Sequence, residues 1–141
     1  MSMFTVTDLK QMAYCRRIAY YAYCLPGLKA LDTPKMAAGT LANEAEEARE
    51  HRRGLRAYGL SAGERHFGVR LESEALGLRG MLDMLIEVVG PDGAIERIPV
   101  DYKNTDLREA GSPRGQRALR HNWQVQLAAY ALLVEDTWPG D

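Results

Sequence analysis

Near the end of a short apolar run, a carboxylate and an ammonium stand two residues apart: Asp101 and Lys103. Residues 97–103 read Arg-Ile-Pro-Val-Asp-Tyr-Lys, and in a strand their side chains alternate. Ile98, Val100 and Tyr102 then share one face, suited to a core. Asp101 and Lys103 share the other face and point the same way. A carboxylate there can hold a hard divalent cation through oxygen. An ammonium can orient a water or steady developing negative charge. Upstream, Gly80-Met81-Leu82-Asp83 ends a short apolar step in a second carboxylate. Asp83, Asp101 and Lys103 form a candidate hydrolytic centre. Asp-x-Lys is a short pattern that also describes an ordinary solvated strand face, so the flanking elements must decide.

The first of these is a hairpin. Leu82, Met84, Ile86 and Val88 alternate with Asp83, Leu85 and Glu87, and Gly90-Pro91-Asp92-Gly93 is a turn signal. Strands are expected over residues 65–72, 78–89 and 95–103, the last two antiparallel. Asp83 and Asp101 lie nine residues to either side of Asp92. A turn centred there can set them opposite each other, provided the register does not slip.

Helices should flank this sheet. Thr5-Val6-Thr7-Asp8 reads as a helix start, followed by Leu9, Met12 and Ala13 at helical spacing. Residues 14–24 gather four tyrosines and the arginines Arg16 and Arg17. That segment reads either as an aromatic helix packed on the core or as a stacking and phosphate-contacting element. In the second case Tyr20, Tyr21, Arg16 and Arg17 would meet single-stranded nucleic acid. Pro26-Gly27 ends the segment, and residues 28–36 read as a loop. A second helix is expected over residues 37–53, with Leu41, Ala45 and Ala48 as its apolar stripe. Asn43, Glu44 and Glu47 neighbour one another on it, and the two glutamates read first as solvated surface. Residues 104–121 are polar, broken by Gly111, Pro113 and Gly115. Arg114, Arg117 and Arg120 on such a loop would either be solvated or contact phosphates. A third helix over residues 123–136 carries a broad apolar face, with Gln126 and Tyr130 one turn apart.

The 141 residues suffice for one domain with one core. With 46% hydrophobic and 26% charged residues, the composition is that of a globular chain. A formal net charge of −1 means that any nucleic-acid surface must be local. No apolar run approaches a membrane span, and no secretory leader is read at the start. The expected location is cytoplasmic, where Cys15 and Cys24 stay reduced; two thiols cannot complete a four-ligand cluster.

Taken together, these pieces resemble the PD-(D/E)XK nuclease superfamily in its RecB-like branch. They look most like the family of CRISPR-associated exonucleases formed by the fourth Cas protein. The resemblance rests on Tyr14-Cys-Arg-Arg17, Gly39-Thr-Leu-Ala-Asn-Glu44, Gly80-Met-Leu-Asp83, Pro99-Val-Asp-Tyr-Lys103 and residues 126–135. It implies an α/β restriction-endonuclease-like core, a mixed central sheet flanked by helices. It divides residues 1–141, one nuclease domain, into an N-terminal helical element (1–30) and a core (37–136).

The resemblance also implies chemistry. Asp83, Asp101 and the Tyr102 carbonyl would bind Mg²⁺ or Mn²⁺, Lys103 would assist the attacking water, and Gln126 and Tyr130 would support the site. The substrate would be single-stranded or prespacer DNA, trimmed and selected beside its PAM together with the CRISPR spacer-integration complex. Two departures follow. Asn43 stands where the family has a metal-binding histidine, which implies weaker metal binding and, as an alternative, a catalytically impaired DNA-binding or assembly module. Cys15 matches one iron–sulfur ligand, but the other three cysteines and the strand before them are absent from these residues. No cluster is expected within them, and a sheet edge is left to be covered.

Overall fold

A computed structural model describes residues 3–25, 27, 34–103 and 106–140, with the backbone alone for residues 34–40 and 43. Strand β1 (Phe4–Thr5) leads directly into helix α1 (Val6–Tyr14). The expected helix start is present: Thr5 Oγ1 accepts from the Asp8 amide at 3.1 Å, and Asp8 Oδ2 accepts from the Thr5 amide at 2.7 Å. This reciprocal pair satisfies amides that the first helical turn leaves without partners. At Cys15 the backbone is extended (φ −158°), so the tyrosine-rich stretch forms a separate helix, α2 (Arg16–Cys24). None of its residues is buried. It is therefore not the core-packed aromatic helix that the sequence allowed. The loop expected over residues 28–36 lies largely outside the described residues.

Helix α3 (Pro34–Glu50) begins and ends about three residues earlier than the sequence suggested. Its expected apolar stripe is a correction: Leu41 is 67% exposed, and Ala45 and Ala48 are exposed too. Among the residues of α3 whose side chains are described, the buried one is Glu50, at 0%. A buried carboxylate needs partners. Glu50 has Arg53 on one side and the Tyr58 hydroxyl, donating at 2.7 Å, on the other. Arg65 of the sheet donates to the carbonyls of Glu50 and Arg53. This polar knot ties the end of α3 to the first long strand.

That strand, β2 (Glu64–Ser73), pairs antiparallel with β3 (Leu78–Val89), which pairs antiparallel with β4 (Ile95–Val100). The turn between β3 and β4 closes through Gly90 N donating to Ala94 O at 2.8 Å. β1 pairs parallel with β3 through Phe4↔Leu78 and Thr5↔Arg79. The sheet is mixed, as expected, and helices flank it. Because β2 covers one edge of β3 from Leu78 to Glu87, β1 and β4 must share the other edge.

Helix α4 (Pro113–Thr137) is ten residues longer at its start than expected. Pro113 and Gly115, which read as breakers, belong to its first turn. Ser112 Oγ caps that turn by accepting from Gly115 N at 3.1 Å, and proline at the first helical position loses no hydrogen bond. α4 and α1 pack together. Val6, Leu71, Leu78, Leu82, Leu85, Ala129, Tyr130, Leu133 and Val134 form the buried core. Each fully buried aliphatic side chain there contributes about 1.5–3 kcal/mol. Gly80 sits where this packing is tightest: a Cβ added to it would lie 2.8 Å from both Tyr130 Cε1 and Val6 Cγ2. No helix among the described residues is long and apolar enough to cross a membrane.

Candidate active site

The β3–β4 register runs from Val89↔Ile95 to Met84↔Val100. One step further along the same ladder sets Asp83 opposite Asp101, the pairing expected from a turn about Asp92. β4 ends at Val100, three residues before the sequence reading placed its end. The ladder stops because the next amide is diverted: Tyr102 N donates to Asp83 Oδ2 at 2.7 Å. A side-chain carboxylate has replaced a backbone carbonyl as acceptor, and the chain is held at the lip of the sheet.

Burial pushes the Asp83 carboxyl up from its ordinary value. The Tyr102 amide works against that shift, the Asp101 charge adds to it, and Lys103 opposes it. Two carboxylates facing each other in a partly dry setting favour a cation between them.

On the other side, Lys103 Nζ is ion-paired with Asp101 Oδ2. The same ammonium donates to Gln126 Oε1 at 2.7 Å, and Gln126 Nε2 donates to Asp101 Oδ1 at 3.2 Å. Gln126, 6% exposed on α4, therefore fixes both groups from above. One turn further, the Tyr130 hydroxyl donates to the Met81 carbonyl at 2.7 Å. Burial, then the Asp101 and Asp83 charges, raise the Tyr130 phenol to about 12, so it remains a donor. The Tyr102 phenol is also raised, first by burial and then by Glu50, Tyr58, Asp83 and Glu47. The inner end of α3 thus lies within electrostatic reach of the site.

The remaining expected residues are placed differently. The Asn43 side chain lies outside the described residues. Glu47 is exposed, with Oε1 3.7 Å from His51 Nε2. Arg114, Arg117 and Arg120 do not occupy a loop. They lie on the first turns of α4, exposed and three residues apart, so that they follow one side of the helix. Arg16, Arg17, Tyr20 and Tyr21 are exposed on α2, where Tyr20 and Tyr21 meet edge to face at 5.9 Å. Cys15 is a half-buried free thiol between α1 and α2, and Cys24 is an exposed one.

The sequence reading missed Lys10. It is half-buried on α1, and both Lys103 and Asp101 act on its ammonium. The signal available was its spacing, one turn after Val6 on the inward side of the helix.

Among the described residues, no group of three His, Cys, Asp or Glu side chains could hold a metal. The donor set at the sheet lip is smaller: two carboxylates and the neighbouring Tyr102 carbonyl. It fits Mg²⁺ or Mn²⁺, since Mg²⁺ keeps several waters and binds through one or two carboxylates plus substrate phosphate.

Residues 21–141 match the model of the PD-(D/E)XK nuclease superfamily. The chain belongs to that superfamily. It is also similar to the CRISPR-associated exonuclease Cas4 of Francisella tularensis subsp. novicida (strain U112), at 31% identity over 131 residues. That alignment covers 93% of this chain and 59% of the relative's own length.

Proposed function

We propose that this chain is a divalent-metal-dependent DNA nuclease whose one domain spans residues 1–141. It acts on single-stranded DNA ends. In CRISPR adaptation it trims prespacers and aids PAM selection beside the spacer-integration complex. What supports this most is the juxtaposition of Asp83, Asp101 and Lys103, with Gln126 bridging the last two.

Asp83, Asp101 and the Tyr102 carbonyl would hold Mg²⁺ or Mn²⁺, which supplies phosphate polarisation and an acidified water. Lys103, anchored by Gln126, orients the attacking water and steadies the negative charge that grows on the phosphate. Water oxygen bonds to phosphorus, and the bond from phosphorus to the leaving sugar oxygen breaks. That oxygen takes up a proton, and the water's proton passes to solvent. Tyr130 keeps the Met81 carbonyl, and with it the stretch of β3 that leads to Asp83, in place. Arg114, Arg117 and Arg120 along α4, and Arg16, Arg17, Tyr20 and Tyr21 on α2, would contact the DNA backbone and bases.

Degradation of 5′-labelled single-stranded DNA with Mn²⁺, compared with Lys103→Ala, tests the nuclease. Wild type cleaves and the variant loses at least about a hundredfold in rate; equal rates refute the assignment. Asn43 favours a second reading, a DNA-binding or assembly module with impaired chemistry. Its mark would be cleavage that appears only in Asn43→His, with DNA binding present in both proteins.

A further inference from the structure

We propose that Lys10 of α1 is a second phosphate-binding cation of the nuclease site, seated beside Lys103 to receive a non-bridging oxygen of the DNA strand. The inference rests on the nuclease reading above and extends it to a residue from outside the sheet and α4.

Its first support is placement. β1 lies on β3 at Arg79 through Thr5, its last residue, and α1 begins at the next residue, Val6. Val6 packs directly over Gly80, against the same point that the Tyr130 ring touches. Lys10 is one helical turn beyond Val6 on the same face, about 6 Å further along α1. Asp83 lies three residues beyond Gly80 on β3. α1 also packs against α4, the helix whose Gln126 holds Lys103. Helix and strand thus carry Lys10 and the acids toward one place.

The second support is burial and charge. Lys10 is half-buried, which a lysine reaches by laying its apolar stem along the protein while its ammonium stays free to meet an anion. Burial and then the Lys103 charge hold its ammonium below the usual lysine range, and Asp101 acts the other way. Two ammoniums drawn toward one another need an anion between or beside them. Asp83 and Asp101 balance Lys10 and Lys103 charge for charge. Once a divalent cation joins the two acids, two positive charges are in excess. A phosphodiester, whose charge grows as water adds to it, takes up that excess.

Binding of a fluorescein-labelled single-stranded oligonucleotide in Ca²⁺, titrated with salt, tests this without requiring turnover. Lys10→Met should weaken binding about tenfold. It should also flatten the slope of log affinity against log salt by about 0.7, the signature of one lost phosphate contact on a single strand. Lys10→Arg should keep both affinity and slope. A lysine with only a structural role would leave the slope unchanged and move the melting temperature instead. Lys10→Gln keeps a polar end without the charge and gives the same comparison should Lys10→Met fail to fold. Unchanged affinity and slope in the neutral variants overturn the proposal. Failure of the wild type to cleave with Mn²⁺ is a separate result: it removes the nuclease reading while binding still decides Lys10.

Discussion

Gln126→Leu probes the link between fold and chemistry most directly. Gln126 is buried and makes two hydrogen bonds, accepting from Lys103 at 2.7 Å and donating to Asp101 at 3.2 Å. Leucine fills a similar volume and makes neither. Hydrogen bonds to charged groups contribute about 1.5–3 kcal/mol each, but Lys103 and Asp101 remain paired with each other, so neither charge is orphaned. The leucine returns part of the loss through apolar burial. The expected net destabilisation is about 1–2 kcal/mol, a Tm decrease of roughly 3–8 °C.

The effect on rate should be larger than the effect on folding. Without the amide, Lys103 keeps its partner but loses its position. A displacement of about 1 Å in a catalytic group can lower a rate about a hundredfold, equivalent to about 2.7 kcal/mol of transition-state stabilisation. The assay is Mn²⁺-dependent cleavage of labelled single-stranded DNA, with kcat and KM measured well below the variant's Tm. The expectation is a fall in kcat with KM little changed, because the role proposed for Lys103 is on the attacking water and on charge that grows after binding. A kcat within about twofold of wild type would show that Gln126 does not position Lys103, and the proposed division of labour would fail.

Two further substitutions separate packing from charge. Gly80→Ala places a methyl 2.8 Å from Tyr130 and from Val6, and overpacking of this kind costs about 1–3 kcal/mol. A Tm lower by roughly 3–12 °C in a thermal melt is expected; an unchanged Tm would mean that α1 and Tyr130 yield freely. Asp83→Asn should act in the opposite direction at neutral pH. The folded state raises the Asp83 carboxyl above its unfolded value. The stability it contributes is present below the unfolded value of about 4 and is lost as pH rises through the folded one. In EDTA at pH 7 the asparagine variant should therefore melt higher than wild type, with the difference vanishing in acid, and Mn²⁺ should raise the Tm of wild type alone. A lower Tm for Asp83→Asn at pH 7 would refute the charge penalty.

The juxtaposition at the centre of the candidate site was legible because its determinants are local. Gly90-Pro91-Asp92-Gly93 dictates a turn, and a turn about Asp92 dictates that Asp83 meets Asp101. Helical spacing places Gln126 and Tyr130 on one face of α4, and Thr5 with Asp8 announces α1. What escaped depends on contacts between segments. Pro113 and Gly115 look like breakers until Ser112 caps the turn and the Ala110 carbonyl occupies the space of a Cβ at Gly115, 2.5 Å away. Glu50 carried no signal in the sequence, because its burial depends on Tyr58 and Arg53, which lie beyond its helix. The apolar stripe of α3 looked like a core face, yet burial is decided by what lies opposite, and Leu41 has water there.

Why the acids and lysines gather at this point follows from the way β3 changes partners. One of its edges is paired with β2 from Leu78 to Glu87, while the other carries β1 as far as Arg79 and β4 only from Met84. Between them, residues 80–83 face an edge that neither strand covers. Backbone groups there must find other partners. The Met81 carbonyl takes the Tyr130 hydroxyl, and the Tyr102 amide takes the Asp83 carboxylate. Each substitution turns a position that would have been structural into one where a side chain is fixed beside open space. α1 continues directly from β1 and packs Val6 over Gly80, and Lys10, one turn on, comes within electrostatic reach of Asp101 and Lys103. The candidate site thus lies where the ladder is interrupted, much as ligands settle at the switch points of other open sheets.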